Sequence, residues 1–447
     1  MKIVTSDEMR GLEERCAGEG ISTSQLMENA GLAVAEEVRR WRGGVAGSHI
    51  AVLVGPGNNG GDGLVMARHL HDWGANVYVY LCAPRPEADP NLRLILDREI
   101  TPEQAQDDSE LQGLRRILDT AEIVVDAVLG TGRSRPIGGV LKEVLTTVGK
   151  ARADSPRLRI VALDLPSGLD ADTGKVDPAV LGADVTVTLG YPKVGLFSFP
   201  GAQMLGELIV ADIGLPARVA EGITLELMTL TWIRSLLPDR PYDAHKGTFG
   251  RALMVAGSVR YIGAAYLACQ GAARVGAGLV TLACTPTLQS ILASKLTEVT
   301  YLPLPELNPG IPAADAVSLI EDQLPHSQAL LVGCGLGQEP PTSDLVQRLL
   351  LKSDKDSPPI VVDADGLNVL AQHPKWWERM GHRVVLTPHP GEMARLMDLS
   401  NKEVQSDRLG VARKAAQLWG KVVVLKGAHT VVARPDGWAK LSPFANP

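Results

Sequence analysis

The segment from Ala51 to Leu70, AVLVGPGNNGGDGLVMARHL, constrains the fold most, because an apolar run passes into a turn with five glycines and then into helical spacing. The run from Val52 to Val54 is typical of a strand covered on both faces. Glycines allow backbone angles closed to other residues and let amide N–H groups face an anion near a helix N-terminus. The segment therefore predicts a nucleotide-derived ligand at the carboxyl end of a parallel strand. The alternative is a turn selected only for tight strand-to-helix packing.

The same turn matches neither standard phosphate-binding pattern. No lysine follows its last glycine, as GxxxxGK[ST] requires, and the spacing does not fit GxGxxG cleanly. Asn58, Asn59 and Asp62 instead offer amide, carbonyl and carboxylate groups. Such groups can recognise polar ring substituents or hold a cation.

Length and composition limit the class of protein. A chain of 447 residues predicts two or three domains, and two fit the pattern better. An apolar content of 45% and a charged content of 21% indicate a globular α/β protein rather than a disordered one. The net charge of -7 argues against nonspecific nucleic-acid binding, because the chain has no overall basic field.

The cysteine pattern and the N-terminus indicate cellular context. Five scattered cysteines without a CxxC pair favour neither a disulfide framework nor a zinc site, so we expect reduced thiols in the cytoplasm. The N-terminus has no apolar core of signal-peptide length, and Thr5 with Glu8 predicts a capping box for a first helix. No apolar stretch is long enough to span a bilayer.

The first half alternates strand-like and helical segments. The apolar residues between Ser24 and Val38 predict an amphipathic helix ahead of the glycine turn. Strand-like runs follow at residues 77–82, 123–128, 160–163 and 185–189. This alternation predicts a doubly wound parallel sheet, in which ligands bind at the carboxyl ends of the strands.

A second alternating series begins after a proline-rich region at residues 216–240, where we place the domain boundary. Its strands are predicted at residues 252–256, 279–284, 329–332, 360–362, 384–386 and 422–425, and its helices at 263–275 and 407–418. The halves share no repeated motif, so the chain is not an internal duplication.

Oxygen-bearing side chains lie near the predicted strand ends of the first half. Asn59, Asp126 and Ser167 would converge there, and such ligands suit potassium or magnesium rather than zinc. Helix capping and turn hydrogen bonds are an equally good explanation of their spacing.

Asp164 is the acid–base candidate because it directly follows an apolar run and faces the same edge of the sheet. A structural turn carboxylate is the alternative. Arg133 and Arg135, in the loop from Gly130 to Pro136, are candidates for phosphate binding, although exposed loop arginines are commonly only solvated.

The second half has five motifs at or near strand ends: HKGTFG from His245, VGCGLG from Val332, VDADGLNVL from Val362, LTPHPGEMARL from Leu386 and VVLKGAHTVVA from Val423. The segment from Lys426 to Thr430 offers a lysine, amides and a hydroxyl that suit a nucleotide, or else forms an ordinary turn. For His389, between two prolines, a ligand contact competes with a purely structural turn.

The first half contains the motifs GPGNNGGDG, GTGRSRP and DLPSG, and the second contains HKGTFG, VGCGLG, DADGLN, TPHPGE and LKGAHT. Together these motifs resemble those of the bifunctional NAD(P)H-hydrate repair enzymes over essentially the whole chain. The resemblance implies a Rossmann-like NAD(P)HX epimerase domain over residues 1–220. It also implies a ribokinase-like, ADP- or ATP-dependent NAD(P)HX dehydratase domain over residues 225–447. The implied substrate is NADH or NADPH damaged by addition of water to the nicotinamide ring.

The resemblance also implies roles for individual residues. Contacts to the hydrated dinucleotide fall on Asn58, Asn59, Gly60, Gly61, Asp62, Gly130, Thr131, Gly132, Arg133, Ser134, Arg135, Pro136 and Asp164 in the first domain, and on Ala264, Gly335 and His389 in the second. Potassium is assigned to Asn59, Asp126 and Ser167. ADP or ATP, with magnesium, is assigned to Lys426, Gly427, Ala428, His429 and Thr430. A homo-oligomer is expected on the same basis.

The implied chemistry differs between the halves. In the first, loss and return of the hydroxyl through a planar iminium-like ring would invert the carbinol carbon, with Asp164 moving the proton. In the second, phosphorylation of that hydroxyl and elimination would restore the reduced cofactor. The family's dehydratase domain continues beyond the position of Asn446 and Pro447 into a Gly-Gly-Thr-Gly-Asp segment with its catalytic aspartate. We therefore expect this dehydratase domain to be C-terminally incomplete.

Two other functions compete with this one. A ribokinase-like kinase of a small molecule would account for the second half but leaves the first unexplained. A non-catalytic dinucleotide-binding module would use the same crevice for sensing, but the polar residues Asn59, Asp126, Asp164 and Ser167 favour catalysis.

Overall fold

The computed structural model describes residues 1–132, 136–307, 313–351 and 357–445. The chain divides into two compact units, Met1–Ile223 and Thr224–Pro447. Arg133, Ser134 and Arg135, three of the predicted substrate contacts, lie outside the described residues. Among the described residues, no helix has both the length and the apolar character that crossing a membrane requires.

The first unit is built on one parallel sheet of seven strands. The strands are β1 His49–Val54, β2 Asn76–Leu81, β3 Glu103–Gln104, β4 Ile123–Ala127, β5 Arg159–Leu163, β6 Val185–Leu189 and β7 Glu207–Ala211. Their order is β3-β2-β1-β4-β5-β6-β7, and each neighbouring pair is parallel. The doubly wound α/β class predicted for this half is confirmed.

Helices cover both faces of this sheet. They are α1 Ser6–Gly18, α2 Thr23–Arg42, α3 Asn58–Asp72, α4 Pro90–Leu96, α5 Gln112–Thr120 and α6 Gly139–Asp154. Val52 and Val54 belong to a core with residues of α2 and α3, whereas Ala51 and Leu53 belong to a second core with residues of α5 and α6. Strand β1 is apolar from Ile50 to Val54 because its alternate side chains enter two different cores. The predicted capping box of Thr5 and Glu8 at α1 is confirmed.

The second unit contains a sheet of ten strands. They are β8 Leu225–Leu227, β9 Arg251–Val255, β10 Leu279–Cys284, β11 Thr300–Pro303, β12 Ala329–Val332, β13 Ile360–Val362, β14 Val384–Leu386, β15 Val422–Leu425, β16 Val431–Ala433 and β17 Ala439–Leu441. The helices are α7 Leu230–Leu236, α8 Ile262–Val275, α9 Pro286–Leu292, α10 Ala314–Glu321, α11 Pro340–Leu350, α12 Asp365–Leu370, α13 Pro390–Met397, α14 Asn401–Ser406 and α15 Arg408–Trp419.

This sheet is only partly parallel. Its order is β11-β10-β9-β12-β13-β14-β15-β16-β17-β8, and the pairs β15–β16 and β16–β17 are antiparallel. The predicted alternation of strands and helices therefore extends as far as β15, after which the chain turns back directly. The five residues from Lys426 to Thr430 are too few for a crossover, so β15 and β16 form a hairpin.

Each sheet reverses its strand order at one point. In the first, β2 and β3 extend to one side of β1, while β4 begins the succession on the other side. In the second, the same reversal lies between β9 and β12. A crevice opens at the carboxyl ends of the strands at such a switch point, and ligands of doubly wound sheets bind there.

Candidate active sites

The glycine turn after β1 serves close packing. A Cβ at Gly55 would lie 1.8 Å from the carbonyl oxygen of Val128, and one at Gly60 would lie 2.1 Å from the carbonyl oxygen of Gly55. None of the five glycines in this turn has a positive φ. The predicted use of backbone angles closed to other residues is therefore wrong, since the turn requires glycine for space between backbones.

The N-terminus of α3 is open toward ligand. Its N-cap residue, Gly57, makes no side-chain cap hydrogen bond, so the first amide N–H groups of the helix have no side-chain acceptor there. Arg85 holds the turn by donating hydrogen bonds to the carbonyl oxygens of Gly55 at 2.6 Å and Gly57 at 3.0 Å. Its guanidinium group also forms an ion pair with Asp89. Sequence analysis gave no role to Arg85, because nothing in its local pattern distinguishes it from a surface arginine.

A cavity of about 880 Å³ opens at the switch point of the first sheet. Of the predicted substrate contacts, its lining includes Asn58, Asn59, Asp62, Gly130, Thr131, Gly132, Pro136 and Asp164. Gly60 and Gly61 are not lining residues, because they pack against Arg85 and Met27 respectively. The structure thus brings most of the described predicted contacts to one space.

Asp164 is buried at the end of β5 in a left-handed backbone conformation with φ of 68°. One carboxylate oxygen, Oδ1, accepts three hydrogen bonds: from Thr188 Oγ1 at 3.1 Å, from the Leu189 amide at 3.1 Å and from Lys193 Nζ at 2.5 Å. The described residues supply no donor to the other oxygen, Oδ2. Asp164 is therefore rigidly held and still has one oxygen for a ligand.

Lys193 is a functional candidate that sequence analysis missed. Its side chain is only 1% exposed, and its ammonium group also donates to the Leu189 carbonyl oxygen at 3.1 Å. Twenty-nine positions separate it from Asp164. A lysine in an apolar run of the sequence is a weak signal, and only the fold shows that it meets a buried carboxylate.

Two further carboxyl groups lie near this ion pair. Asp62, on the second turn of α3, is 8% exposed and receives no hydrogen bond from the described residues. Burial, followed by the negative charges of Asp164 and Glu13, raises the pKa of Asp62 well above its ordinary value, against the lowering effect of Lys193 and Arg85. The pKa of Glu13, at the cavity rim, is also raised, mainly by desolvation.

The three predicted potassium ligands lie around the loop after β4. Ser167 donates from its amide to Asp126 Oδ2 at 2.8 Å and from its hydroxyl to Asp126 Oδ1 at 2.6 Å. The Leu129 amide donates to Ser167 Oγ at 2.8 Å, and a Cβ at Gly130 would lie 3.3 Å from Asn59 Oδ1. Burial raises the pKa of Asp126 despite these hydrogen bonds.

This cluster fits a monovalent cation with oxygen ligands. Asn59 Nδ2 is buried without a hydrogen-bond partner among the described residues. Rotating the amide by half a turn would place its oxygen in that unpartnered position. Among the described residues, no cationic side chain pairs with the buried Asp126 carboxylate. Carboxylate, hydroxyl and amide oxygens are a hard donor set.

In the second unit, the predicted substrate contacts Ala264 and Gly335 meet at the switch point. Ala264 lies on α8, which follows β9, and Gly335 follows β12. Gly335 has φ of 66°, and a Cβ there would lie 2.6 Å from Ala264 Cβ. The two backbones therefore approach closely where the strand order reverses.

The hairpin loop between β15 and β16 holds the predicted nucleotide contacts. Lys426 Nζ donates to Asp363 Oδ1 at 2.6 Å, and the Lys426 amide donates to the Pro388 carbonyl oxygen at 2.9 Å. Thr430 Oγ1 donates to the Gly427 carbonyl oxygen at 2.8 Å. Burial lowers the pKa of His429, which therefore favours its neutral form. Ala428 completes the loop, which lies at the same strand edge as Asp363.

His389 has a defined structural role. It is the N-cap residue of α13, where its Nδ1 accepts a hydrogen bond from the Gly391 amide at 2.9 Å. The His389 amide in turn donates a hydrogen bond to the Glu392 carboxylate at 2.8 Å. Its side chain remains 51% exposed. The structural alternative is thus present, and the exposed imidazole edge can still contact a ligand.

Comparisons with known proteins match both units. Residues 23–195 match the family described as YjeF-related protein N-terminus, and residues 252–447 match the family described as NAD(P)H-hydrate dehydratase. A bifunctional NAD(P)H-hydrate repair enzyme from Moorella thermoacetica is 42% identical over 100% of this chain and 84% of its own length. The chain belongs to the bifunctional NAD(P)H-hydrate repair enzyme family.

Other relatives are similar to the whole chain or to about half of it. The relative from Thermofilum pendens is 38% identical over 100% of this chain and 84% of its own length. A crystal structure of the ADP/ATP-dependent NAD(P)H-hydrate dehydratase from Bacillus subtilis, co-crystallised with ATP and Mg²⁺, is 34% identical and covers 50% of this chain and 75% of that one, with a TM-score of 0.42. The two matched domains favour a repair enzyme over a single small-molecule kinase.

Proposed function

We propose that this protein repairs NADH or NADPH hydrated on the nicotinamide ring, by epimerisation in the first unit and by ADP- or ATP-dependent dehydration in the second. The observation that carries the proposal is the cavity at the first switch point, where Asn58, Asp62 and Asp164 line a space of about 880 Å³. Family membership supports the same chemistry. We assign the epimerase to residues 1–220 and the dehydratase to residues 225–447.

The first cavity has complementary ends for such a substrate. The open N-terminus of α3, with the amides of Asn58 and Asn59, suits the anionic pyrophosphate. Asp164 Oδ2 would face the carbinol hydroxyl, and Lys193 would keep the carboxylate in place. Loss of the hydroxyl leaves a planar iminium-like ring, and return of water to the other face inverts the carbon.

Asn59, Asp126 and Ser167 would hold a potassium ion beside this cavity. When bound, the cation supplies positive charge next to the buried Asp126 carboxylate. The fit of the donor set supports this assignment. Asn59 would then connect the cation site to the N-terminus of α3, because it is also a cavity-lining residue.

In the second unit, we assign substrate contacts to Ala264, Gly335 and His389, and the adenine nucleotide to residues 426–430. Lys426, which now pairs with Asp363, would interact with phosphate. Magnesium would accompany the nucleotide. Transfer of a phosphoryl group to the substrate hydroxyl would make it a leaving group, and elimination of phosphate would restore the nicotinamide ring. The five free thiols support a reducing, cytoplasmic location.

One experiment separates the candidate functions. A single purified epimer of hydrated NADH is mixed with the protein, with and without ATP, and the epimers are resolved by chromatography while NADH is followed by absorbance. We expect epimer exchange without ATP and recovery of NADH only with ATP. The Asp164→Asn variant should lose exchange, and exchange that persists unchanged in it would refute the assigned role. Absence of both reactions in the native protein would favour a dinucleotide-binding module.

A further inference from the structure

Two carboxyl groups in the first cavity have opposite surroundings. Three donors hold Asp164 through Oδ1, and one of them is the Lys193 ammonium, which places a positive charge against this carboxylate. Asp62 lines the same cavity, is almost fully buried and has no hydrogen-bond donor among the described residues. Its environment favours the neutral form. Paired groups with such different surroundings commonly divide acid and base roles.

The two groups also approach the cavity from different elements. Asp62 lies on α3, which follows β1, and Asp164 follows β5. Strand β4 separates β1 from β5 in the sheet. At roughly 4.8 Å per strand, the ends of β1 and β5 are about 10 Å apart, so the two carboxyl groups reach the shared cavity from separate elements rather than from one turn.

Inversion of a carbinol carbon requires proton transfer on both faces of the ring. The departing hydroxyl needs a proton on one face, and the incoming water must lose a proton on the other. A single fixed carboxylate serves one face directly. Asp164 is fixed, because its oxygen is held by Thr188, Leu189 and Lys193.

We propose that Asp62 is the second acid–base group of the epimerisation, acting on the ring face opposite to Asp164. The proposal rests on the epimerase function proposed above for the first unit. Asp62 thereby gains a catalytic role in addition to the substrate contact implied by family resemblance.

Protons and electrons balance in this scheme. The carbon–oxygen bond breaks with its electron pair going to oxygen, Asp62 donates its proton, and water leaves while the ring nitrogen lone pair forms the iminium bond. Water then adds to the other face, the iminium electrons return to nitrogen, and Asp164 accepts the proton. The pair ends with Asp62 ionised and Asp164 protonated, which is the state that converts the other epimer back.

The charged groups around Asp62 favour this starting state. Asp164 and Glu13 place negative charge near it, and Lys193 and Arg85 place positive charge near it. Desolvation and the two carboxylates outweigh the two cations, so the pKa of Asp62 is raised. Ionisation of Asp62 as pH rises should therefore slow the step in which it donates a proton.

The test compares inversion with oxygen exchange in the full-length protein. Each epimer is incubated separately in oxygen-18 water, and both epimer formation and label uptake are measured for the native protein, Asp62→Asn and Asp62→Glu. We expect kcat for inversion by Asp62→Asn to fall about 10²–10⁴-fold with little change in KM, and Asp62→Glu to recover part of it. For the epimer whose hydroxyl faces Asp164, label uptake without inversion should fall less, because loss and return of the hydroxyl on that face need only Asp164.

The outcomes are distinct. Inversion and label uptake that fall in equal proportion for both epimers, or inversion that is unaffected, would overturn the role of Asp62. A native protein that shows neither inversion nor uptake would instead refute the epimerase function itself. Asp119→Asn removes an exposed carboxylate on α5 and is the matched control, with rates expected to equal those of the native protein. Circular dichroism verifies that each variant is folded.

Discussion

The ion pair of Lys193 and Asp164 shows how one residue contact joins stability to function. Both side chains are removed from water, and their shared hydrogen bond is reinforced by Thr188 and Leu189. A buried pair gains little over apolar packing, but removing one member leaves the other uncompensated. The pair therefore fixes the proposed base at the cost of sensitivity to mutation.

We predict that Lys193→Met lowers the free energy of unfolding of the first unit by about 3–5 kcal/mol, because it leaves the Asp164 carboxylate buried without its cation. Chemical denaturation, monitored through hydrogen–deuterium exchange of the peptide that contains β6, measures this loss of stability. The double variant Lys193→Met with Asp164→Asn has no buried charge at this position and should regain part of the loss. A single variant as stable as the native protein would contradict the prediction.

Asp62 should make the stability of the first unit depend on pH. Because its pKa is raised in the folded protein, the unfolded chain loses this proton first as pH rises above roughly 3.9. The folded state then binds more protons than the unfolded state, so this group's contribution to stability decreases as pH rises. We predict that Asp62→Asn is more stable than the native protein at neutral pH, with a smaller difference at pH about 4. Denaturation over this pH range tests the sign, and a difference that does not grow with pH would be inconsistent with it.

At the scale of the element, the turn between β1 and α3 is set by backbone approach rather than by unusual dihedral angles. Gly55 lies against the Val128 carbonyl, whereas a Cβ at Gly57 would meet no heavy atom within 4 Å. The two glycines have the same appearance in sequence. Only the neighbouring strand β4 distinguishes them.

Gly55→Ala should therefore destabilise the first unit by about 1–3 kcal/mol, because β1 and β4 must separate locally to admit the methyl group. Gly57→Ala adds a methyl group in open space and is the matched control, with a change expected to stay below about 1 kcal/mol, the cost of alanine in place of glycine at the N-cap of α3. Denaturation midpoints of the two variants measure the difference. Equal effects of the two substitutions would show that close approach is not the reason for glycine at position 55.

Helix α13 permits a separation of capping from ligand contact at His389. His389→Ala removes the acceptor for the Gly391 amide and should lower the free energy of unfolding by about 1 kcal/mol. His389→Asn restores a cap but not the imidazole. If the imidazole also contacts substrate, KM for the ATP-dependent reaction should rise in both variants, while stability falls only in the alanine variant. If His389→Asn has both the stability and the KM of the native protein, capping is the whole role of His389.

At the scale of the whole molecule, each proposed site draws its described residues from one unit. The cavity residues lie between positions 6 and 213, and the Lys426–Asp363 pair lies in the second unit. We predict that Lys426→Met weakens ADP binding at least about tenfold and leaves epimer exchange unchanged. Asp164→Asn should abolish epimer exchange and leave ADP binding unchanged. Calorimetric titration with ADP and the exchange assay measure the two effects. Loss of both activities in either variant would contradict separate sites.

Local sequence patterns predicted much of the fold. The strand assignments at residues 185–189, 279–284 and 384–386 coincide with β6, β10 and β14, because short apolar runs bounded by turn residues carry a strong local signal. Strands β3, β7, β8, β11, β16 and β17 were missed. All of them except β7 contain only two to four residues, which are too few positions for a periodic pattern.

The sequence by itself determined the α/β class, the order of most elements and the motifs at the strand ends, because these depend on periodicity and on residues close together in the chain. The tertiary structure decided which of those motifs share a cavity, that Lys193 meets Asp164, and that Gly55 is required for space. These properties depend on strand order and on burial. Burial in particular sets the surroundings of Asp62, since the charges that act on it come from residues 13, 85, 164 and 193.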